Sequence, residues 1–164
     1  MILMTQIQRL IITVFLIVGD EEFELKSGTL INWGSYEGSI FDFVLNLYSS
    51  DFTLNQGEPS FEDNVVTGIS MDVYANSPFD LAEANYEKVS FDNISGNSYQ
   101  ALDLALNIDI ENETGTTRQI VEGTFTVLSN GSNYELEFTG TDNEGDEVTF
   151  FYEGQLSQLD NTEQ

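Results

Sequence analysis

The sequence predicts an all-β domain, a single antiparallel β-barrel or β-sandwich of about eight strands. From Phe23 onward, apolar residues recur with a period of two, as in a strand, and not with the 3.6-residue period of a helix. Clusters of Asn, Gly and Asp that suit hairpin turns separate these segments, and the chain has only 2 Pro. No strand–helix–strand alternation is visible, which argues against a doubly wound parallel sheet.

Residues 1–19 differ from the rest of the chain and are expected to form a signal-peptide-like leader. Leu10 to Val18 is an apolar run that follows an arginine and ends at Gly19. Its length fits the hydrophobic region of a signal peptide and is short for a bilayer span. A leader that is retained as a membrane anchor is the alternative. Residues 20–27, which open with an acidic run, are expected to be a tether.

The β domain is expected over residues 28–157, and its first strands are the less regular ones. An opening strand is expected at Gly28–Gly34. Two further segments alternate, with these residues on one face: Phe41, Phe43, Leu45 and Leu47 in Ser39–Tyr48, and Ile69, Met71 and Val73 in Val65–Tyr74. Residues 49–63 and 76–97 are rich in polar turn formers and are expected to be long loops with one short strand. Phe79–Tyr86 is compatible with a helical turn.

The C-terminal third predicts an antiparallel meander with two hairpin turns, at 129–132 and 142–146. The inward residues are expected to be Leu102, Leu104, Leu106, Ile108 and Ile110, then Val121, Phe125 and Val127, then Tyr134, Leu136 and Phe138, and finally Val148, Phe150, Tyr152 and Leu156. One register of the last hairpin places Glu135 opposite Glu153, and a shift of two residues separates them. Residues 158–164 have nothing to bury and are expected to be a disordered tail.

The segment Glu122–Leu156 carries Gly-Thr-x-Thr-Val, an Asn-Gly turn, Tyr-x-Leu-x-Phe, Thr-Asp-Asn-x-Gly and Tyr-x-Gly-x-Leu. This pattern resembles small secreted or lipid-anchored β-domain proteins of unassigned function from Bacteroidota. Gly28–Gly34 and Phe43–Ser50 extend the resemblance over most of residues 28–156. It implies export and carries no catalytic residues with it. The lipid-anchored members carry their lipid on a cysteine, and no cysteine follows Gly19, so this chain cannot be lipidated there.

Charge and missing residue types narrow the function. The chain has 29 Asp and Glu against 4 Lys and Arg, a formal net charge of −25, so it is expected to bind no nucleic acid. Without Cys and His, it lacks thiol nucleophiles, the usual general base and the usual transition-metal ligands. Paired carboxylates remain available, and no pair stands out. The sequence therefore predicts no enzyme, no catalytic residues and no required cofactor.

Two local features could bind a ligand. The turn Asp142-Asn143-Glu144-Gly145-Asp146 offers oxygen ligands for Ca²⁺, with Asp142, Asn143, Glu144 and Asp146 as the candidates, although a hairpin selects the same residue types. Several aromatic residues fall outside the inner faces and could stack on a sugar or pack against loops: Trp33, Tyr36, Tyr48, Tyr74 and Phe151.

These observations favour an exported, non-enzymatic surface or envelope domain that binds a protein or glycan partner. A lipocalin-like carrier of a small apolar ligand and a Ca²⁺-stabilised β module are the alternatives. The expected location is the cell surface, the periplasm or the medium. Membrane contact is expected only through the leader, if it is retained.

Overall fold

The computed structural model describes residues 14–162, and over that range the protein is all-β. Its only helical element there is a single 3₁₀ turn at Phe91–Asn93. The strands are β1 (Phe15–Val18), β2 (Glu21–Glu24), β3 (Ser27–Glu37), β4 (Ile40–Tyr48), β5 (Phe52–Asn55), β6 (Glu58–Phe61), β7 (Val65–Ala75), β8 (Ala84–Lys88), β9 (Ser98–Asp109), β10 (Thr114–Ser129), β11 (Tyr134–Asp142), β12 (Glu147–Gly154) and β13 (Ser157–Asp160).

Eleven of these strands form one sheet, in the order β13-β3-β4-β7-β9-β8-β10-β11-β12-β1-β2. Strands β9 and β10 also pair directly, and β5 and β6 form a separate hairpin. The pairs β13–β3 and β8–β9 are parallel, and the rest are antiparallel. Because neighbouring strands twist relative to one another, a sheet of this many strands curls, and here it forms a half-barrel. The all-β prediction is confirmed, whereas the eight-stranded barrel or sandwich is wrong.

The core fills the concave face of the half-barrel. Most alternating residues predicted to face inward are buried there and belong to one apolar cluster: Phe43, Leu45, Leu47, Ile69, Met71, Val73, Leu102, Leu104, Leu106, Phe125, Val127, Tyr134, Leu136, Phe138, Val148, Phe150, Tyr152 and Leu156. Phe41 is half-buried and packs against this cluster. The rings of Phe138 and Phe150 stack with centroids 5.5 Å apart.

Three of the inward predictions are wrong because strands bulge or end. A register shift between β7 and β9 leaves Ile108 half-buried and outside the core cluster. A bulge between Ile120 and Glu122 shifts the alternation of β10, so Ile120 is buried and Val121 is exposed. Strand β9 ends at Asp109, and Ile110 lies exposed in the turn after it. None of these three irregularities can be seen in the alternation of the sequence.

The expected leader overlaps the folded sheet. Residues 1–13 lie outside the described range, but β1 takes up the second half of the apolar run and pairs with β12 and β2. Leu16 and Val18 are buried in the core cluster. Gly19 and Asp20 form the turn of the β1–β2 hairpin, where Gly19 has a φ of +59° that glycine adopts at little cost. Cleavage after Gly19 would therefore remove a strand of the sheet.

Strands also occupy segments expected to be tether, loop or tail. Strand β2 lies within the expected tether 20–27, and β13 begins at the end of the expected β domain and continues into the tail 158–164. The hairpin β5–β6 fills the first predicted loop. In the second, Phe79–Tyr86 forms bends followed by β8 and no helical turn. These strands are four or five residues long, too short for their alternation to be distinctive. Within residues 14–162, no helix is long and apolar enough to cross a membrane.

Candidate functional site

The candidate Ca²⁺ turn is held by an arginine. Asp142 is buried, and its Oδ1 accepts backbone N–H bonds from Glu144 and Asp146, each 2.9 Å long. Arg118 Nη1 donates to Asp142 Oδ2 at 2.9 Å and to Asp146 Oδ2 at 3.0 Å. The hydrogen bond to Asp146 and the charge of Asp142 raise the pKa of Arg118.

Asn143 Oδ1 accepts the backbone N–H of Gln119 at 3.0 Å. Most ligand oxygens of the turn are thus already engaged, and a cation would have to displace the guanidinium. Across residues 14–162, no group of three or more acidic, His or Cys side chains is arranged to hold a metal.

The other predicted side-chain arrangements have mixed outcomes. Glu135 does lie opposite Glu153, in the register that pairs β11 with β12. Of the five candidate aromatic residues, Trp33 and Tyr36 are exposed, Tyr48 and Phe151 are half-buried and Tyr74 is buried. They do not form one platform. Tyr36 packs edge-on against Tyr74 with ring centroids 5.3 Å apart, and Tyr48 belongs to a different cluster.

Tyr48 joins the hairpin β5–β6 to the sheet. Its ring lies edge-on to Phe61 and Phe52, with centroids 4.8 Å and 5.6 Å away. Gly68 lies directly opposite Tyr48 in the β4–β7 register, and a Cβ added there would lie 3.4 Å from the Tyr48 ring. Because Gly68 has no side chain, the tyrosine ring can lean over the β7 backbone. Burial raises the pKa of Tyr48, as expected for a phenol in such a cluster.

Four polar residues form a row across the outer face of the sheet. Asn46 of β4 lies opposite Ser70 of β7, Ser70 opposite Asp103 of β9, and Asp103 opposite Gln119 of β10. We call this row the polar ladder. Neighbouring strands are about 4.8 Å apart, so the ladder spans roughly 14 Å. Its amide, hydroxyl and carboxylate groups supply both donors and acceptors.

A second row runs beside the ladder and has small residues at its centre. Gly68 and Ala105 lie opposite each other, with Tyr48 at one end and Thr117 at the other. The two rows and Asn143 bound a groove of about 390 Å³, which we call the outer-face groove. Its floor is low because Gly68 and Ala105 project little or no side chain. Its wall carries the polar ladder.

Two more carboxylates lie on the same face: Asp72 diagonally from Asp103, and Asp42 diagonally from Asp72. Asp72 is opposite Ala101 and Val44, and Asp42 is opposite Tyr74. Burial raises the pKa of Asp42 to about 6, and the charge of Asp72 adds to this effect. Burial and the charge of Asp103 also raise the pKa of Asp72. Folding therefore makes these two carboxylates harder to ionise.

No family model, curated protein or solved structure matches the chain. The candidate site therefore rests on its own geometry. Sequence reasoning singled out Tyr48 and Asn143 among the groove residues. It did not identify the polar ladder, whose members become neighbours only through the register of four strands. The only sequence signal was that Asn46, Ser70 and Asp103 occupy outward positions in alternating segments.

Proposed function

We propose that this chain is an exported, non-enzymatic binding domain whose outer-face groove takes a neutral glycan. The observation that carries the proposal is the polar ladder beside a floor of Gly68 and Ala105. Sugars present many hydroxyl groups together with apolar ring faces, so they suit a site that combines hydrogen-bonding side chains with an aromatic ring such as Tyr48. The ladder is longer than one sugar ring, which favours an oligosaccharide.

Charge and packing support a neutral ligand at the surface. A net charge of −25 repels acidic polysaccharides, whereas a neutral glycan is unaffected by it. An interior carrier would need a cavity within the core cluster. Instead Phe43, Leu104 and Phe138 are almost wholly buried and pack into that cluster. The outer face is thus favoured over the lipocalin-like alternative.

A panel of neutral glucan, mannan and xylan polymers tests the proposal by affinity electrophoresis. We expect retardation by at least one polymer, and loss of most of it in Asp103→Asn and Gln119→Ala. Both side chains are exposed, so these variants should fold. Glu137→Gln is the matched control, because Glu137 is also an exposed outward carboxylate but lies on β11, away from the groove. Equal losses in the control, or no retardation by any polymer, would contradict the proposal.

A glycoside hydrolase is a second candidate, favoured by one observation. Asp72 and Asp103 are diagonal neighbours on adjacent strands, for which the expected separation is about 7–8 Å. That separation suits two carboxylates that act on opposite sides of a glycosidic bond, and the raised pKa of Asp72 suits a general acid. Reducing ends released from a bound polymer, and abolished by Asp72→Asn, would show hydrolysis. Binding without release supports the non-enzymatic proposal.

Export is the other part of the proposal. The acidic surface and the resemblance to secreted β-domain proteins support it. Because β1 is a strand of the sheet, we expect the exported form to keep Phe15–Val18. Cell fractionation followed by intact-mass measurement tests this. A protein that stays in the cytoplasm would contradict export, and an exported protein beginning at Asp20 would contradict the retention of β1.

A further inference from the structure

Strand β2 lies at one end of the sheet and, among residues 14–162, pairs only with β1. In the two-residue β1–β2 hairpin, Val18 and Glu21 form the closing pair, and at the other end the N–H of Leu25 bonds to the carbonyl of Val14 at 3.2 Å. In an antiparallel ladder, hydrogen-bonded pairs alternate with pairs whose backbone groups point the other way. The N–H and C=O groups of Glu22 and Glu24 therefore point to the outer edge, where no described strand pairs with them.

A cleft of about 1130 Å³ lies beside this edge and is lined from both ends of the sheet. Glu22 and Glu24 of β2 line it from one end, and Ser157 of β13 from the other. Buried Leu25 and Leu156 contribute apolar surface. We call this space, where the half-barrel remains open, the seam cleft.

The seam cleft is strongly acidic. Its four carboxylates are Glu22, Glu24, Asp51 and Glu153, against the single cation Lys26. Charged residues on an edge strand discourage pairing with a like-charged strand. A second copy of this chain would bring its own glutamates to the same edge and be repelled. A strand that carries positive side chains would instead be attracted by the same carboxylates.

We propose that the seam cleft takes a basic, extended segment of a partner protein, which adds a strand to β2. The edge groups of Glu22 and Glu24 supply the main-chain hydrogen bonds, as in other cases of strand addition. The carboxylates receive the partner's Lys or Arg side chains, and the apolar lining receives the residues between them. This site is separate from the outer-face groove, so the protein could bind a glycan and a protein partner at the same time.

The test uses the full chain and a fluorescein-labelled nine-residue peptide of alternating Lys and Val. Two peptides serve as controls. Alternating Glu and Val reverses the charge, whereas alternating Lys and Pro keeps the charge but removes every second N–H and disfavours a strand. We expect anisotropy changes with the Lys–Val peptide alone. We also expect slower hydrogen exchange of the Glu22 and Glu24 amides in the complex, since these amides become hydrogen-bonded.

Two double variants separate the cleft from the overall charge. Glu22→Lys with Glu24→Lys should weaken binding at least about tenfold, because attraction becomes repulsion at the edge. Glu83→Lys with Glu111→Lys makes the same change in net charge at exposed positions elsewhere and should weaken it far less. All four glutamates are exposed, so folding should survive, and a circular dichroism spectrum checks it.

Several results would overturn the proposal. Equal binding of the Lys–Pro peptide, or equal losses in the two double variants, would reduce the effect to unspecific charge attraction. A dimer that dissociates in Glu22→Lys with Glu24→Lys would assign the edge to a second copy of the chain. Binding that appears only after residues 1–13 are deleted would assign the cleft to the chain's own N-terminal segment. Failure of these tests leaves the glycan proposal intact, since its variants lie on another face.

Discussion

The substitution Leu16→Ala tests the claim that the apolar run near the N-terminus is a strand of the folded domain. Leu16 is 0% exposed and lies between Phe23 of β2 and Phe150 of β12. Truncation to Ala removes three carbon atoms, worth about 2.4 kcal/mol in transfer free energy at about 0.8 kcal/mol each. Because β1 is paired on both sides, by β2 and β12, neighbouring side chains can move only a little into the cavity that the substitution leaves. The cavity term then raises the expected loss of unfolding free energy to about 3–4 kcal/mol.

The neighbouring residue gives a matched control. Ile17 has the same number of carbon atoms but points to the opposite face of β1 and is half-exposed. We expect Ile17→Ala to cost less than about 1 kcal/mol, the span of strand propensity at an exposed site. Urea unfolding followed by tryptophan fluorescence and circular dichroism measures both variants. If the run were a leader outside the fold, neither substitution would change the unfolding midpoint. Equal small losses would refute the placement of β1.

Three further predictions concern other parts of the molecule. Because folding raises the pKa of Asp42 from 3.8 to about 6, the ionised carboxylate destabilises the folded state, fully above pH 6 and less and less as the pH falls towards 4. Calorimetry should therefore show that Asp42→Asn raises the Tm more at pH 7.5 than at pH 4. The exposed variant Asp92→Asn is the control. Since Arg118 already occupies the Asp142 turn, millimolar Ca²⁺ or EDTA should leave the Tm unchanged, and a rise of several degrees in Ca²⁺ would contradict this. Gly140→Ala should lower the unfolding midpoint in urea, because its Cβ would clash with the backbone oxygen of Glu122, and an unchanged midpoint would count against this packing.

The long strands are the part of the fold that the sequence predicts well. In β4, β11 and β12, apolar residues at every second position identify the buried face, and turn residues locate the hairpins. Hairpin geometry even restricts Glu135 and Glu153 to two registers, of which the structure has one. Local pattern suffices in these cases because the strands are adjacent in the chain and one face of each is buried.

The sequence does not predict the short strands or the polar ladder, and the physical reasons differ. In β1, half-exposed apolar residues alternate with buried ones, so a run without polar positions resembles a signal peptide. The polar ladder depends on the register of β4, β7, β9 and β10, and long segments separate some of these strands. A slip of one residue would turn the ladder to the core side, and only packing of the whole sheet fixes it.

An NMR titration is the sharpest test of glycan binding in the outer-face groove. The probes are gluco-, manno- and xylo-oligosaccharides added to ¹⁵N-labelled protein. We predict that at least one probe shifts the backbone amide signals of Gly68, Ser70, Asp103, Ala105 and Gln119, which line the groove. Shifts confined to residues outside the groove, or no shifts with any probe, would contradict glycan binding in the outer-face groove.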